Sequence, residues 1–396
     1  MNVPKLRFKE FTDEWKTIRL QKIISIYKEQ STIENQYPML TSSKQGLVLQ
    51  KDYYSDNARI TNRSNIGYNI LPYGYITYRN RSDTGFFTFN INLKLEKGLI
   101  SYFYPVFSLV NSNKYFLVNL LNAKYQFKMY AISEGTSQKV LSITNLKKLK
   151  VLCPNLKEQN KIADFLSTLD KKISNLENII TTLENQKKGL LQKIFNQELR
   201  FKDENGNNYP DWEKKKLGDI SDVRDGTHDS PKYINSGYPL ITSKNIQNGK
   251  ISFKDINYIS KEDYNNINKR SKVSIGDILM SMIGTVGNVA LLSEENFAIK
   301  NVALFKEKPL LKNIFLIQYL QSNLFYKSIN NLNEGGTQKF ISLKNIRNLY
   351  INLPCLEEQT KIADFLSAFD RKIDNQKAQL EHWKQIKKGL LQQMFV

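Results

Sequence analysis

The sequence predicts an α+β protein made of two related globular domains, each followed by a long α-helix. The first observation is a repeated segment, Glu158–Phe195 and Glu358–Phe395, in which 20 of the 38 aligned positions are identical at a shift of 200 residues. The second is a mixture of short apolar runs between turn residues and longer stretches with helical spacing. Solenoid repeats have periods of roughly 20 to 50 residues, so the longer period indicates a tandem duplication of a whole domain and its helix.

The duplication extends beyond the helices. The matched segments are Leu6–Lys9 with Leu199–Lys202, Trp15 with Trp212, Tyr37–Ser42 with Tyr238–Ser243, and Glu134–Pro154 with Glu334–Pro354. Between these segments the two copies differ substantially. We therefore expect a shared frame with different content, and we place the domains at 1–155 and 198–355 and the helices at 156–197 and 356–396.

Inside each domain, turn residues predict a β-hairpin that is followed by a helix. The hairpin strands are Gly276–Met282 and Asn288–Leu292 in the second copy, and Gly74–Tyr78 and Phe86–Ile91 in the first. The helices are predicted at Asn113–Ile132 and Asn313–Leu332, where aromatic residues and leucines recur at helical spacing. Gly135 and Gly335 follow these helices as stop signals.

Apolar residues in the two repeated helices alternate in steps of four and three, which is the pattern of a coiled-coil seam. The seam residues are Ile162, Leu166, Leu169, Ile173, Leu176, Ile180, Leu183, Leu190, Ile194, Ile362, Leu366, Phe369, Ile373, Leu380, Trp383, Leu390 and Met394. We predict that the helices form an antiparallel coiled-coil pair and that a pseudo-two-fold axis relates the two domains they separate.

Charged residues occupy two kinds of position in these helices. Glu158 and Glu358 lie in the opening turns, where the helix dipole favours negative charge. Lys187 and Lys387 interrupt the seam, either as long stems that carry their ammonium groups into water or as a register device. We favour the first interpretation, because both lysines lie near a helix end.

The charge balance indicates a polyanionic partner. Lys and Arg number 58 and Asp and Glu 38, which gives a net charge of +20, and nucleic acid is the usual partner of so basic a chain. A general requirement for solubility is the alternative. No apolar run approaches the roughly 18 residues of a membrane span, and the first residues lack a secretory signal, so a cytoplasmic location is expected. Cys153 and Cys355, each beside a proline, are expected to be packing residues.

Residues for catalysis are not apparent. The two histidines, His228 and His382, fall at unrelated points of the repeat and lack partners at metal-ligand spacing. The Gly284–Gly287 turn lacks the strand-to-helix setting and the Lys-Ser/Thr pair of a phosphate-binding loop. DNA amino-methyltransferases carry an Asn/Asp-Pro-Pro-Tyr/Phe motif, and no Pro-Pro dipeptide occurs here. We expect a chain that binds a partner without catalysis, and that itself holds no metal or cofactor.

Basic residues interleaved with aromatics and amides favour contact with DNA. They occur at Tyr73–Arg81 and Tyr264–Lys272. An arginine can donate two hydrogen bonds to a guanine, and Arg79 and Arg81, two apart on a predicted strand, would share one face. A solvated strand edge explains the same pattern equally well.

Two pairs of matched loops supply further candidates for DNA contact. These candidates are Thr41, Ser42, Lys44, Thr242, Ser243, Lys244 and Asn245 in one pair, and Gln138, Lys139, Gln338 and Lys339 in the other. Hydroxyl, amide and amine groups suit phosphates or base edges, and a glycine turn with a lysine suits a phosphate. A helix stop accounts for the glycines of the second pair, but not for its repeated Gln-Lys.

These landmarks together resemble the specificity subunit of type I restriction-modification enzymes. The resemblance covers essentially the whole chain. It rests on the Leu-Arg-Phe…Trp openings, Gly276–Gly287, the loops after Glu134 and Glu334, and above all the repeated Glu-Gln-x-Lys-Ile-Ala-Asp-Phe-Leu and Lys-Lys-Gly-Leu-Leu-Gln pieces.

The resemblance implies two target-recognition domains, each specific for one half of a bipartite DNA sequence, with the helices as a spacer. It also implies two modification subunits that use S-adenosylmethionine to methylate adenine, and restriction subunits that use ATP and Mg²⁺. No catalytic residue transfers to this chain. A methyltransferase fused into the chain and a coiled-coil scaffold with incidental charge are the competing hypotheses. The missing Pro-Pro motif counts against the first, and the divergence between the two domains counts against the second.

Overall fold

A computed structural model describes residues 3–43, 46–53, 64–247, 249–332 and 340–395. Contacts between Cα atoms divide the chain into two compact units. Unit 1 comprises Met1–Glu177 and Ala378–Val396, and unit 2 comprises Asn178–Lys377. Helices α5 (Leu156–Phe195) and α11 (Leu356–Met394) each contribute residues to both units. The predicted α+β class is confirmed.

Unit 1 contains a domain of short strands and helices, which we call the first recognition domain after the resemblance described above. Its strands are β1 (Lys16–Arg19), β2 (Ile24–Tyr27), β3 (Leu40–Ser43), β4 (Gly46–Leu49), β5 (Asn69–Pro72), β6 (Ile76–Tyr78), β7 (Arg81–Ser82), β8 (Phe89–Ile91), β9 (Lys97–Ile100), β10 (Val106–Leu109), β11 (Lys139–Val140) and β12 (Lys150–Cys153). Its helices before α5 are α1 (Gln50–Tyr53), α2 (Lys114–Lys124), α3 (Gln126–Ile132) and α4 (Ile143–Lys148).

Unit 2 contains the second recognition domain. Its strands are β13 (Glu213–Lys216), β14 (Asp222–Asp225), β15 (Tyr238–Ile241), β16 (Ile246–Gln247), β17 (Lys250–Ile251), β18 (Asn257–Ile259), β19 (Ile278–Ser281), β20 (Val289–Leu291), β21 (Ala298–Ile299), β22 (Val302–Lys306) and β23 (Tyr350–Leu353). Its helices before α11 are α6 (Leu217–Ile220), α7 (Lys261–Ser271), α8 (Asn313–Leu320), α9 (Asn323–Asn330) and α10 (Leu343–Arg347).

The two recognition domains share one sheet topology. The central sheet has the order β2-β10-β6-β8 in unit 1 and β14-β22-β19-β20 in unit 2, and β1-β12 corresponds to β13-β23. The predicted hairpins are confirmed as the antiparallel pairs β6-β8 and β19-β20. Strands β6 and β19 are nearly continuous apolar runs, because both of their faces are covered. Among the described residues, unit 2 differs by the three-stranded sheet β18-β15-β21 and by the eleven-residue helix α7.

The prediction of a single helix at 113–132 and another at 313–332 is wrong in one respect, because the structure has two helices in each range. In unit 1 the break is at Tyr125, whose buried hydroxyl accepts a hydrogen bond from the Leu152 amide at 2.7 Å. In unit 2 the break is at Ser322, whose side chain accepts from the amide of Phe325 and caps α9. Local capping and a buried polar contact therefore override the helical spacing.

In each unit, one half of α5 packs antiparallel to one half of α11. In unit 1, Lys387 contacts Asp170 at 2.5 Å and Lys384 contacts Glu177 at 3.0 Å, so residue numbers fall along one helix as they rise along the other. The buried seam residues of unit 1 include Ile162, Leu166, Leu169 and Leu176. Trp383 and Leu390, half-buried, pack against the same core.

Unit 2 repeats this arrangement. Lys187 contacts Asp370 at 2.6 Å, and Lys377 contacts Glu184 at 2.6 Å. The seam residues Ile180, Leu183, Ile362, Leu366 and Ile373 are buried, and Phe369 is half-buried. The apolar face of each helix is thus buried against the other helix.

The predicted placement of the seam lysines in water is wrong. Lys187 is 7 % exposed, and its Nζ donates to both Asp370 and Gln321. The Nζ of Lys387 donates in the same way to Asp170. A buried ammonium group is costly unless it is paired. The buried Lys187 and the half-buried Lys387 therefore hold the register of the helices through specific partners.

The end of one helix completes the core of each recognition domain. In unit 1, Met394 and Phe395 lie among the buried residues around Trp15, and the rings of Phe395 and Phe116 are 5.5 Å apart. In unit 2, Phe195 occupies the equivalent place, 5.7 Å from Phe315. Each core therefore consists of a recognition domain, the start of the helix that follows it and the end of the other helix.

A buried carboxylate fastens each recognition domain to its helix. Glu158 is 0 % exposed and accepts from Arg7 Nε at 2.7 Å, from Arg7 Nη2 at 2.8 Å and from Trp15 Nε1 at 3.2 Å. Hydrogen bonding to Glu158 raises the pKa of the Arg7 guanidinium. The Leu-Arg-Phe…Trp opening thus supplies the arginine of this bidentate pair and a tryptophan beside it.

The second copy repeats the contact. Glu358 is also 0 % exposed and accepts from Arg200 Nε at 2.8 Å and from Trp212 Nε1 at 2.8 Å. The adjacent Gln359 donates to the Pro354 carbonyl and accepts from the Lys312 amide, as Gln159 does with Pro154 and Asn113. The repeated Glu-Gln pair is therefore a structural joint between domain and helix.

Replacing Arg7 with leucine should leave the Glu158 carboxylate buried without its cation. We expect Arg7→Leu to lower the free energy of unfolding of unit 1 by about 3 kcal/mol, measured by urea titration of the full chain. Lys161→Ala is the matched control, because it removes a pair between half-exposed side chains, Lys161 and Glu10, and should cost less than about 0.5 kcal/mol. Equal losses in the two variants would contradict this role for Glu158.

Candidate nucleic-acid interface

In unit 1 the structure brings together two loops that were predicted separately. Strands β7 and β11 pair antiparallel, which places Lys139 opposite Ser82 and Val140 opposite Arg81. Gln138 Nε2 donates to Asp83 Oδ1 at 2.7 Å. The loop after the hairpin strand β6 and the loop before β11 therefore form one surface, which we call the β7–β11 surface: Arg79–Gly85 and Gly135–Val140.

Aromatic rings orient the cations of the β7–β11 surface. The guanidinium of the exposed Arg81 lies 4.8 Å from the centre of the Phe103 ring, and Lys139 Nζ lies 4.7 Å from the centre of the Tyr130 ring. Cations held against aromatic faces keep their charge and lose little further freedom on contact with a phosphate or base. Sequence reasoning missed both rings, since their sequence distance from the cations gives no signal.

Glycines of this surface are needed for its shape. A Cβ on Gly85 would lie 2.3 Å from the Tyr130 ring, and one on Gly135 would lie 2.2 Å from the Gln138 carbonyl oxygen. Both glycines also have positive φ angles, +75° and +94°. The structural explanation therefore holds for the glycine of this loop, and it does not account for Lys139.

The predicted geometry of Arg79 and Arg81 is wrong. Strand β6 ends at Tyr78 and β7 begins at Arg81, so the two arginines are not on one continuous strand and do not share a face by alternation. Both side chains are nevertheless exposed. They remain candidates as neighbours on one loop.

The Thr41–Lys44 loop supplies less than predicted. Ser42 is 8 % exposed, and its Oγ accepts from Asn90 Nδ2 at 2.8 Å, so as a DNA-contacting hydroxyl it is wrong. Thr41 lies half-buried on β3. Lys44, Gln338 and Lys339 lie outside the described residues.

Asn245 is also wrong as a DNA-binding residue. Its side chain is 2 % exposed; its Oδ1 accepts from the amide and hydroxyl of Thr242, and its Nδ2 donates to the Ser252 carbonyl. These bonds close a capped 3₁₀ turn, Ser243–Asn245. Ser243 Oγ donates to the Asn301 carbonyl at 3.2 Å, and Lys244 extends from the turn into solvent. The turn therefore presents the lysine.

Unit 2 has a second basic cluster, which we call the Asp225 cluster: Asp225, His228, Arg270 and Asn301. The buried Asp225 carboxylate contacts Arg270 and lies 2.9 Å from His228 Nε2, while His228 Nδ1 lies 2.8 Å from Asn301 Oδ1. Hydrogen bonds with Asn301 and then with Asp225 raise the pKa of His228. One carboxylate thus positions the exposed guanidinium of Arg270 and the exposed imidazole of His228.

Only part of the Asp225 cluster has a signal in the sequence. Arg270 lies in the Tyr264–Lys272 segment, which the interleaving of basic and amide residues singled out. Asp225 and His228 are three residues apart, whereas Asn301 lies 73 positions after His228, and parallel pairing of Thr227 with Lys300 brings Asn301 to them. Neither histidine was expected to act in catalysis. In the structure, His228 lies at hydrogen-bonding distance from Asp225 and Asn301.

The side chains of the β7–β11 surface and the Asp225 cluster are suited to binding a partner. They offer guanidinium, ammonium, imidazole and amide groups, which match phosphates and base edges. Within the described parts of the chain, no group of three or more His, Cys, Asp or Glu side chains could hold a metal ion. The helices described there also include none long and apolar enough to cross a membrane.

Comparisons with known proteins all indicate the same family. The family described as "Type I restriction modification DNA specificity domain" matches residues 12–185 and 209–383, that is, each recognition domain with most of its following helix. The putative type I restriction enzyme MjaX specificity subunit of Methanocaldococcus jannaschii is 30 % identical over 301 residues, covering 71 % of this chain and 68 % of the relative.

Two further comparisons agree. The MjaVIII specificity subunit of the same organism is 28 % identical over 258 residues, covering 61 % of this chain, and the chain spans 60 % of that relative's length. The crystal structure of a type I S subunit from M. genitalium shares the fold, with a TM-score of 0.63 at 16 % identity, over 100 % of this chain and 99 % of that one. With two family matches laid over two recognition domains of one topology, the chain belongs to the type I restriction-modification DNA specificity family.

Proposed function

We propose that this chain recognises a bipartite DNA target, with each recognition domain specific for one half. The observation that carries the proposal is that two domains of one sheet topology present different basic surfaces, the β7–β11 surface in unit 1 and the Asp225 cluster in unit 2. A shared frame fixes how each domain is held, while different side chains at the surface allow different bases to be recognised.

The net charge of +20 supports DNA as the partner. Phosphate neutralisation by lysine and arginine supplies most of the affinity in such complexes. A chain that acts on genomic DNA works where that DNA is, so we propose a cytoplasmic location.

We further propose that α5 and α11 set the gap between the two half-sites. A helix rises about 1.5 Å per residue, and the seam lysines fix the register of the pair through Asp170 and Asp370. A rigid helix pair of constant length would hold the two recognition surfaces at a constant separation along the DNA.

Catalysis is assigned to partner subunits. We propose that two modification subunits dock on this chain and methylate adenine with S-adenosylmethionine, and that restriction subunits use ATP and Mg²⁺ for cleavage. The resemblance to specificity subunits supports this assignment. In this scheme the chain contributes sequence selection and no catalytic residue.

Removing one heptad from both helices tests the spacer. Deleting Glu177–Leu183 and Lys377–Trp383 together keeps Asp170 opposite Lys387 and Asp370 opposite Lys187. Seven residues correspond to about 10 Å, or roughly three base pairs at 3.4 Å each. We expect the methylated target to keep both half-sites with a gap shorter by about three base pairs, read by sequencing modified adenines in cells with the modification subunit.

Deletion of Glu177–Leu183 alone is the control for the spacer test. It leaves only one of the two Lys–Asp pairs in register, so we expect methylation to be lost. If the double deletion altered bases within a half-site and left the gap unchanged, the helices would not be the spacer.

Charge reversal tests the β7–β11 surface. Lys139→Glu should weaken binding to all DNA sequences and reduce the slope of log affinity against log salt by about one unit, because one phosphate contact is lost. Lys150→Glu, the same change at an exposed position on β12, is the matched control and should leave the slope unchanged. Identical slopes for wild type and Lys139→Glu would remove this loop from the interface.

A further inference from the structure

Two kinds of ion pair cross between α5 and α11. The first kind is repeated in the sequence: each helix carries both members, Asp170 and Lys187 on α5 and Asp370 and Lys387 on α11. In unit 1 Lys387 contacts Asp170, and in unit 2 Lys187 contacts Asp370. Since each helix carries one aspartate and one lysine, this pair sets register but is compatible with any antiparallel combination of the two helices.

The second kind is not repeated. Its α5 members are both acidic, Glu177 and Glu184, and its α11 members are both basic, Lys377 and Lys384. In unit 1 Lys384 contacts Glu177 at 3.0 Å, and in unit 2 Lys377 contacts Glu184 at 2.6 Å. These residues stand at matched positions of the 200-residue repeat, so duplication alone would have given the same charge on both helices.

The consequence appears when α5 is paired with α5 of a second copy in the same register. Lys187 would still meet Asp170, whereas Glu177 would meet Glu184. In a pair of two α11 helices, Lys377 would meet Lys384 in the same way. Like charges at facing positions are destabilising by about as much as opposite charges are stabilising, so only the α5–α11 combination satisfies all four positions.

We propose that Glu177, Glu184, Lys377 and Lys384 form a partner-selection surface that fits α5 to α11 of the same chain and rejects the same helix of a second copy. All four side chains are between 42 and 50 % exposed, and such pairs contribute little to stability by themselves. Their effect is on specificity, which depends on the difference between attraction in one pairing and repulsion in another. The inference concerns assembly and does not depend on the proposed DNA target.

The test uses a full-length variant that keeps every ion pair but removes the discrimination. In Glu184→Lys/Lys377→Glu, Glu177 still faces Lys384, and the second pair is merely reversed. Each helix now carries one acidic and one basic residue, so same-helix pairs also become attractive. Chains are refolded from urea at several protein concentrations and low salt, and the dimer fraction is measured by sedimentation velocity.

We expect wild type to refold mainly as monomer and the variant to give a dimer fraction larger by about fivefold or more. The matched control reverses all four charges, Glu177→Lys/Glu184→Lys/Lys377→Glu/Lys384→Glu, and should behave as wild type because discrimination is restored. High salt should abolish the difference, since it screens exposed charges.

A second variant, Glu177→Lys/Lys384→Glu, reverses the other ion pair. Each helix again carries one acidic and one basic residue, so this variant should also raise the dimer fraction. Near-ultraviolet circular dichroism confirms that each chain has refolded. Equal dimer fractions at low salt in wild type, in the variants that fold and in the four-charge control would overturn the proposal.

Discussion

The burial of a carboxylate in the first turn of each long helix is the constraint on which the rest of this structure depends. Glu158 and Glu358 have no exposed surface, and an unpaired charge in such a place would be prohibitive. Arg7 and Arg200 therefore have to be delivered to the helix start from the opening segment of each copy. That requirement brings the opening segment, the helix start and the buried tryptophan into one joint.

The joint explains how two domains that differ in sequence can be held in the same way by their helices. Its residues lie in the repeated parts of the sequence, whereas the Arg79–Gly85 loop of the β7–β11 surface and the Asp225 cluster lie in parts that differ between the copies. Substitution at a recognition surface leaves Arg7–Glu158 or Arg200–Glu358 untouched. The closure of each core by Phe395 or Phe195 adds a second fixed contact. The residues that differ at the two surfaces are therefore separate from the residues that hold each domain on its helix.

Periodicity predicted the long helices, and turn residues predicted the hairpins, because both depend on local patterns. Lys187 was misread because its partner, Asp370, is 183 positions away, and no local rule distinguishes a paired ammonium group from a solvated one. Ser42 and Asn245 were misread for a related reason: short polar side chains in a loop look the same whether they meet solvent or the backbone of the loop itself. Arg81 was found, but the Phe103 ring that orients it was not.

We propose that one chain specifies two separate DNA sequences at a fixed distance. Sequencing of methylated adenines in a strain that carries the modification subunit, with and without this chain, tests this most directly. We expect the chain to add one modified motif made of two specified parts separated by a constant unspecified gap. A single uninterrupted motif, or two parts at variable distance, would contradict it.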